Sequence, residues 1–203
     1  MAQDFEMVYS KSKDVWEKCT EIYEKKIVKG HPDIALFQAF EEDFLNKIIR
    51  EVALIQPRPI KIMDIGCGSG RLHLLYGAKT IERKRLIDYP NMLTLREYIP
   101  RFSFDALLAK QIDEVWGIDF SEAMINLAEK KIESSGLKEN GNIKLTLEQG
   151  SAFELEPEEE DVLPITICLV NSIGVMQGRQ GAIELFKAMR LSLIHISEPT
   201  RPY

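Results

Sequence analysis

Apolar positions along this chain recur with two different periods, and the switches between them mark out an α/β order. Val15, Trp16, Cys19, Ile22, Tyr23 and Ile27 fall at helical spacing, as do Leu36, Phe37, Phe40, Phe44, Leu45, Ile48, Ile49 and Val52 after Pro32-Asp33. Two amphipathic helices are therefore predicted ahead of residue 57. Ile60-Lys61-Ile62-Met63-Asp64-Ile65 then reads as a short β-branched strand, and Val115–Asp119, Ile143–Gln149 and Pro164–Val170 read as three more. The last of these is almost wholly apolar, as a strand covered on both faces would be. Between the second and third strands Ser121 is a good N-cap, Met124, Ile125, Leu127, Ala128 and Ile132 form an apolar stripe, and Gly136 is placed for a C-terminal cap. A final helix is predicted from Ala182 to Arg190. Strands alternating with helices predict a parallel sheet.

One interval is too long for that scheme. A Rossmann unit carries its ribose-binding acid about twenty residues after the first turn, whereas about fifty separate Gly70 from Asp119 here. The stretch from about Gly77 to Gln111 is read as a helical insertion: Thr80 to Ile87, a piece opened by Pro90, and a third with Ser103 as N-cap. Its basic cluster, Lys79, Arg83, Lys84 and Arg85, is either a solvated helix face or a grip for an acidic acceptor.

Composition narrows the class. At 203 residues and 45% hydrophobic content the chain suits one globular domain. No apolar run approaches the roughly twenty residues of a membrane span, and the polar start Gln3-Asp4-Phe5-Glu6 is not a signal peptide. Cys19, Cys67 and Cys168 are scattered, without a C-x-x-C pair, which predicts neither disulfides nor a metal site and fits a cytoplasmic protein. A net charge of −6 argues against a nucleic-acid partner. The acidic run from Glu154 to Asp161 reads as a solvated loop.

The candidate chemistry lies at the end of the first strand. Asp64-Ile65-Gly66-Cys67-Gly68-Ser69-Gly70 places three alternating glycines between a strand and the helix-like Arg71-Leu72-His73-Leu74-Leu75. Glycine belongs where a chain turns tightly or a ligand lies against the backbone. The dinucleotide fingerprint is G-x-G-x-x-G; here the third glycine falls one place early. Asp64 would also repel a pyrophosphate packed on the turn, and it suits a cofactor that has positive charge and no phosphate.

These residues resemble the first motif of the class I S-adenosylmethionine-dependent methyltransferases. The resemblance implies a Rossmann-like sheet with strand order 3-2-1-4-5-7-6 and S-adenosyl-L-methionine as cofactor. It implies that Asp64, Ile65, Gly66, Cys67, Gly68 and Gly70 line the cofactor, that Asp119 holds the ribose, and that Phe120 and Met124 flank the adenine. Gly150-Ser151-Ala152-Phe153 stands at the adenine corner, where relatives usually carry an Asp; Ser151 could accept the same bond more weakly. Asn171, at the end of the fourth strand, would border the methyl-transfer site; no general base is evident. Asn171-Ser172-Ile173-Gly174 lacks the double proline of base-amino methylases and is closer to small-molecule methyltransferases. A small-molecule acceptor is expected, with Tyr9, Trp16, Tyr23 and His31 as candidate contacts. The rivals are an aminopropyltransferase of the same fold, against which Asn171 stands, a nucleotide-dependent oxidoreductase, and a noncatalytic cofactor-binding module.

Leu191-Ser192-Leu193-Ile194-His195-Ile196-Ser197-Glu198-Pro199-Thr200-Arg201-Pro202-Tyr203 resembles the in-frame translation of a sequencing adapter; the alternative is a genuine strand over Leu191 to Ile196. The division expected is a helical cap over residues 1–56, a partial cofactor-binding domain with strands one to four over 57–190, and a non-native tail over 191–203. The fragment itself is expected to be poorly soluble and inactive or nearly so.

Overall fold

The computed structural model describes residues 14–24, 32–55, 59–80, 105–140, 142–155, 163–169 and 178–192. In chain order these hold α1 (14–23), α2 (Pro32–Ile55), β1 (Ile60–Ile65), α3 (Arg71–Lys79), the short α4 (Leu108–Gln111), β2 (Ile112–Asp119), α5 (Glu122–Ser135), α6 (Leu137–Asn140), β3 (Lys144–Gln149), a 3₁₀ turn (Ala152–Glu154), β4 (Leu163–Ile167) and α7 (Gly178–Ser192). The four strands form one parallel sheet in the order β3-β2-β1-β4, a Rossmann-like α/β architecture.

The strands cover both sheet faces because their side chains alternate. Ile62 and Val115 join Leu72, Leu75 and Tyr76 of α3 and Leu45, Ile49 and Ala53 of α2 in one core. Ile65 and Ile118 point the other way, to Ala152 of the 3₁₀ turn and Leu185 of α7. β1 is one of the two inner strands, and Lys61 is its only residue that is not buried. Lys61 lies over the ring of Trp116 and faces Glu114, which also pairs with Lys144 at 3.0 Å and accepts from the Thr146 hydroxyl.

Several boundaries differ from the sequence reading. β2 begins at Ile112 rather than Val115, and β4 covers Leu163–Ile167 rather than Pro164–Val170. Gly77 lies inside α3, which ends only at Lys79 because the Thr80 hydroxyl donates to Tyr76 O and Gly77 O at 2.9 and 3.1 Å. The excursion that follows leaves and returns at one place: the Asp105 amide donates to Lys79 O at 3.1 Å. Asp105 Oδ1 caps α4 by accepting from the Leu107 and Leu108 amides, and its carboxylate also takes the Arg50 guanidinium. Ser103, the predicted cap, lies outside the described residues, as do Ile27, His31, Tyr9, Arg83, Lys84, Arg85, most of the acidic run and the tail beyond Ser192. Leu191 and Ser192 continue α7 as helix rather than opening a strand. On α2 the buried stripe is Leu45, Ile49 and Ala53; Phe40 and Phe44, a helical step to the side, are 69% and 56% exposed.

Lys79 is neither a solvated nor an acceptor-gripping cation. It is buried, with its ammonium 2.6 Å from Glu42 of α2. A cation and an anion removed from water together must stay paired, so this one serves to dock α2 on α3.

Candidate functional site

β2 and β3 lie to one side of β1 and β4 to the other, so the chain order reverses direction at β1. In open α/β sheets, ligands bind in the crevice outside the carboxyl ends of the strands at such a switch point. The glycine turn occupies that position here. Gly66, Gly68 and Gly70 all have positive φ, of 72°, 52° and 75°. The surroundings of the last two differ. A Cβ on Gly70 would come within 3.0 Å of Ala128 Cβ, so this glycine lets α3 and α5 pack together. A Cβ on Gly68 would meet nothing within 4 Å. Above Gly68 the backbone faces open space, where a ligand could lie against it.

The turn is tied to the end of β2. The Gly66 and Cys67 amides both donate to Ile118 O, at 2.8 and 3.1 Å. The Gly68 amide donates to Asp119 Oδ2 at 2.9 Å, while Asp119 Oδ1 accepts from the Ser121 amide at the same distance. Asp119 therefore fixes both the glycine turn and the start of α5, where Ser121 Oγ accepts from the Met124 amide at 3.3 Å. Burial pushes the Asp119 carboxyl up, and the bonds from Ser121 and Gly68 oppose that rise. Across from it, Asp64 is 4% exposed at the end of β1. Burial pushes its carboxyl up to about 7; Arg71 pulls it down, while Asp119 and Glu41 add to the rise. The Arg71 guanidinium is itself held by Glu41 of α2 at 2.6 Å.

The third strand completes the corner. The Gly150 amide donates to Asp119 O at 3.0 Å, which brings Ser151 and Ala152 beside the predicted ribose acid. Ser151 Oγ is engaged as the cap of the 3₁₀ turn, accepting from the Phe153 amide at 3.3 Å. Phe120 is half-buried at the same end of the sheet, and Met124 is buried on α5. Cys67 is buried with its thiol pushed up by that burial, so it is not a thiolate nucleophile. Behind the turn, His73 Nε2 lies 2.9 Å from Thr146 O, and burial pushes its imidazole down to about 4. Asn171 lies outside the described residues.

Sequence reading missed how α1 engages this crevice. Glu17 accepts from the Glu122 and Ala123 amides at the start of α5, at 2.8 and 3.0 Å. Glu24 accepts from the Ser69 hydroxyl at 2.6 Å and pairs with the Lys131 ammonium at 3.1 Å, and Lys131 also donates to Ser69 Oγ at 3.0 Å. All three are buried. Tyr23 lies between these anchors; burial pushes its phenol up, with Arg71 opposing and Glu24, Asp119 and Asp64 adding. Its ring meets Trp16 edge-on at 5.4 Å. A signal was present: Lys131 stands in the stripe of Met124, Ala128, Ile132 and Ser135 that α5 buries, and a cation there needs a buried partner.

Among the described residues no group of three or more His, Cys, Asp or Glu could hold a metal, and no helix is long and apolar enough to cross a membrane. The solved structures similar in fold include magnesium protoporphyrin IX methyltransferase from Synechocystis PCC 6803 in two states. With S-adenosylmethionine bound, it is 15% identical, with a TM-score of 0.54 over 91% of this chain and 72% of that one. With S-adenosylhomocysteine bound, it is 16% identical, with a TM-score of 0.51 over 91% and 68%. No curated protein matches the sequence. The sequence matches the ubiE/COQ5 methyltransferase family over residues 12–202, and the chain belongs to that family.

Proposed function

We propose that the chain binds S-adenosyl-L-methionine at the glycine turn and serves the transfer of its methyl group to a small-molecule acceptor. The observation that carries this is the pairing of two buried carboxyls, Asp64 and Asp119, with a glycine backbone whose outer side is open at Gly68. Among the described residues, Glu17, Glu24 and Glu41 stand around the same crevice against Arg71 and Lys131. An excess of acid over base favours a cationic ligand and disfavours a pyrophosphate.

The cofactor's sulfonium supplies an activated methyl group, so the protein's work is positioning and exclusion of water. Placing two reactants correctly contributes on the order of 7–11 kcal/mol. In this assignment Ile65, Gly66, Cys67, Gly68 and Gly70 carry the backbone along the cofactor, and Asp64 faces its cationic end. Asp119 accepts from the ribose hydroxyls with lone pairs not used by Gly68 and Ser121. Phe120, Met124, Ser151, Ala152 and Phe153 border the adenine, and Asn171, following β4, borders the transferred methyl. The Trp16–Tyr23 pair supports a small, partly apolar acceptor, and the net charge of −6 supports one that is not nucleic acid.

Isothermal titration with S-adenosylhomocysteine and with NAD tests the cofactor. Binding of the former without the latter is expected; the reverse preference, or no binding of the former, overturns the proposal. Transfer of label from methyl-labelled cofactor into a small-molecule extract rather than into protein or RNA is expected for the acceptor.

A further inference from the structure

α1 and the glycine turn are joined by a contact between residues far apart in sequence. Glu24 stands at the end of α1, Ser69 sits between two glycines of the turn, and Lys131 projects from the buried stripe of α5. Their three polar groups close on one another within 3.2 Å. Beside Glu24, Tyr23 faces Arg71, Asp64 and Asp119, and about two helical turns earlier Glu17 binds the amides that open α5. α1 is thus pinned at both ends across the crevice between the two strand-end carboxyls.

We propose that Glu24 and Lys131 are positioning residues that latch α1 over the cofactor crevice, so that their buried pair sets the rate of cofactor exchange. The inference rests on the cofactor assignment above. Ser69 is the link: its hydroxyl donates to Glu24, and its backbone lies between Gly68, which faces the open space, and Gly70, which packs on Ala128. Removing either charge breaks this buried pair, and a buried charge that loses its partner across the latch favours the conformation in which α1 has lifted and water reaches it.

The control lies in the same molecule. Lys79 and Glu42 form a pair just as buried, joining α2 to α3 away from the turn. Breaking it should cost comparable stability without opening the crevice. The experiment compares Glu24→Gln, Lys131→Met and the Glu24→Gln/Lys131→Met double variant with Glu42→Gln in the full chain. Dissociation of S-adenosylhomocysteine is followed by stopped flow, and amide hydrogen exchange is followed over residues 14–24. The single latch variants are expected to release ligand at least about tenfold faster and to lose protection over α1. The double variant, with no stranded charge, should recover part of the loss, and Glu42→Gln should change neither readout.

Faster exchange of α1 amides with an unchanged release rate overturns the latch while leaving the cofactor assignment standing. Equal acceleration by Glu42→Gln also overturns it, since general destabilisation would then explain the effect. If the parent chain binds no S-adenosylhomocysteine, the cofactor assignment fails. Hydrogen exchange then judges the latch alone, and unchanged protection of α1 in Glu24→Gln overturns it as well.

Discussion

Gly68 and Asp119, fifty-one positions apart in sequence, are joined by a 2.9 Å hydrogen bond from the glycine amide to the carboxylate. With Asp119 Oδ1 held by Ser121, one side chain sets the shape of the turn and the start of α5. Asp119→Asn keeps the volume but offers one acceptor oxygen and turns an NH₂ group toward a backbone N–H. A buried donor left unsatisfied costs about 1–3 kcal/mol. The variant is therefore expected to lose that much stability by urea denaturation and to bind S-adenosylhomocysteine at least about tenfold more weakly. Unchanged affinity would remove Asp119 from the ribose site.

Gly68 and Gly70 separate two reasons for a glycine. Both have positive φ, which costs an L-residue roughly 1–2 kcal/mol. Gly70→Ala adds a contact of 3.0 Å with Ala128 Cβ, so its effect should fall on stability. Gly68→Ala meets no protein atom within 4 Å, so beyond the backbone cost its effect should fall on ligand affinity. A melting temperature lowered more by Gly70→Ala and an affinity lowered more by Gly68→Ala are the expected pair of results.

Asp64 should make stability fall as pH rises. Its carboxyl keeps its proton to about pH 7 in the fold but releases it near 3.8 when unfolded. Between those values the folded chain binds more protons, and the full penalty above pH 7 is on the order of 4 kcal/mol. Asp64→Asn is expected to be more stable than the parent at pH 8 without ligand and nearly equal to it at pH 4, as read by urea midpoints. A cationic cofactor favours the ionised form, so its binding by the parent should tighten between pH 6 and 8 and release a proton. Equal stability differences at both pH values would refute a buried neutral carboxyl.

Gly117 leaves room for two side chains at once. A Cβ there would lie 2.5 Å from His73 Cε1 and 2.8 Å from Cys67 Cβ. Gly117→Ala should cost about 1–3 kcal/mol through overpacking and should weaken cofactor binding by shifting Cys67. Gly150→Ala, whose nearest neighbour is the flexible end of Ile118 at 3.1 Å, should cost less by the same thermal measurement.

The parts of the site that were legible in the sequence are those whose chemistry is local. A strand ending in Asp64, glycines at fixed offsets, and an N-cap at Ser121 each leave a mark within a few residues. The sheet order followed from the resemblance those marks carried. The α1 side of its contacts was not legible, because Glu17 and Glu24 carry no local signature and meet α5 more than a hundred positions away; only Lys131, a cation in a buried stripe, marked the other side. Which side of α2 is buried was not legible for a related reason. Its apolar residues run around more than one face, and only the position of β1 decides that Leu45 and Ile49 go inside while Phe44 does not.

The span of the Glu24–Lys131 pair also has a consequence for biosynthesis. Lys131 follows Glu24 by 107 positions, which at ribosomal rates of 5–20 residues per second is a delay of roughly 5–20 s. For that interval Glu24 lacks its cation and has only the Ser69 hydroxyl to meet. The docking of α1 through this pair then waits for β2 and α5 to form. A nascent chain halted before Lys131 should expose α1 to protease, and one released beyond β3 should protect it.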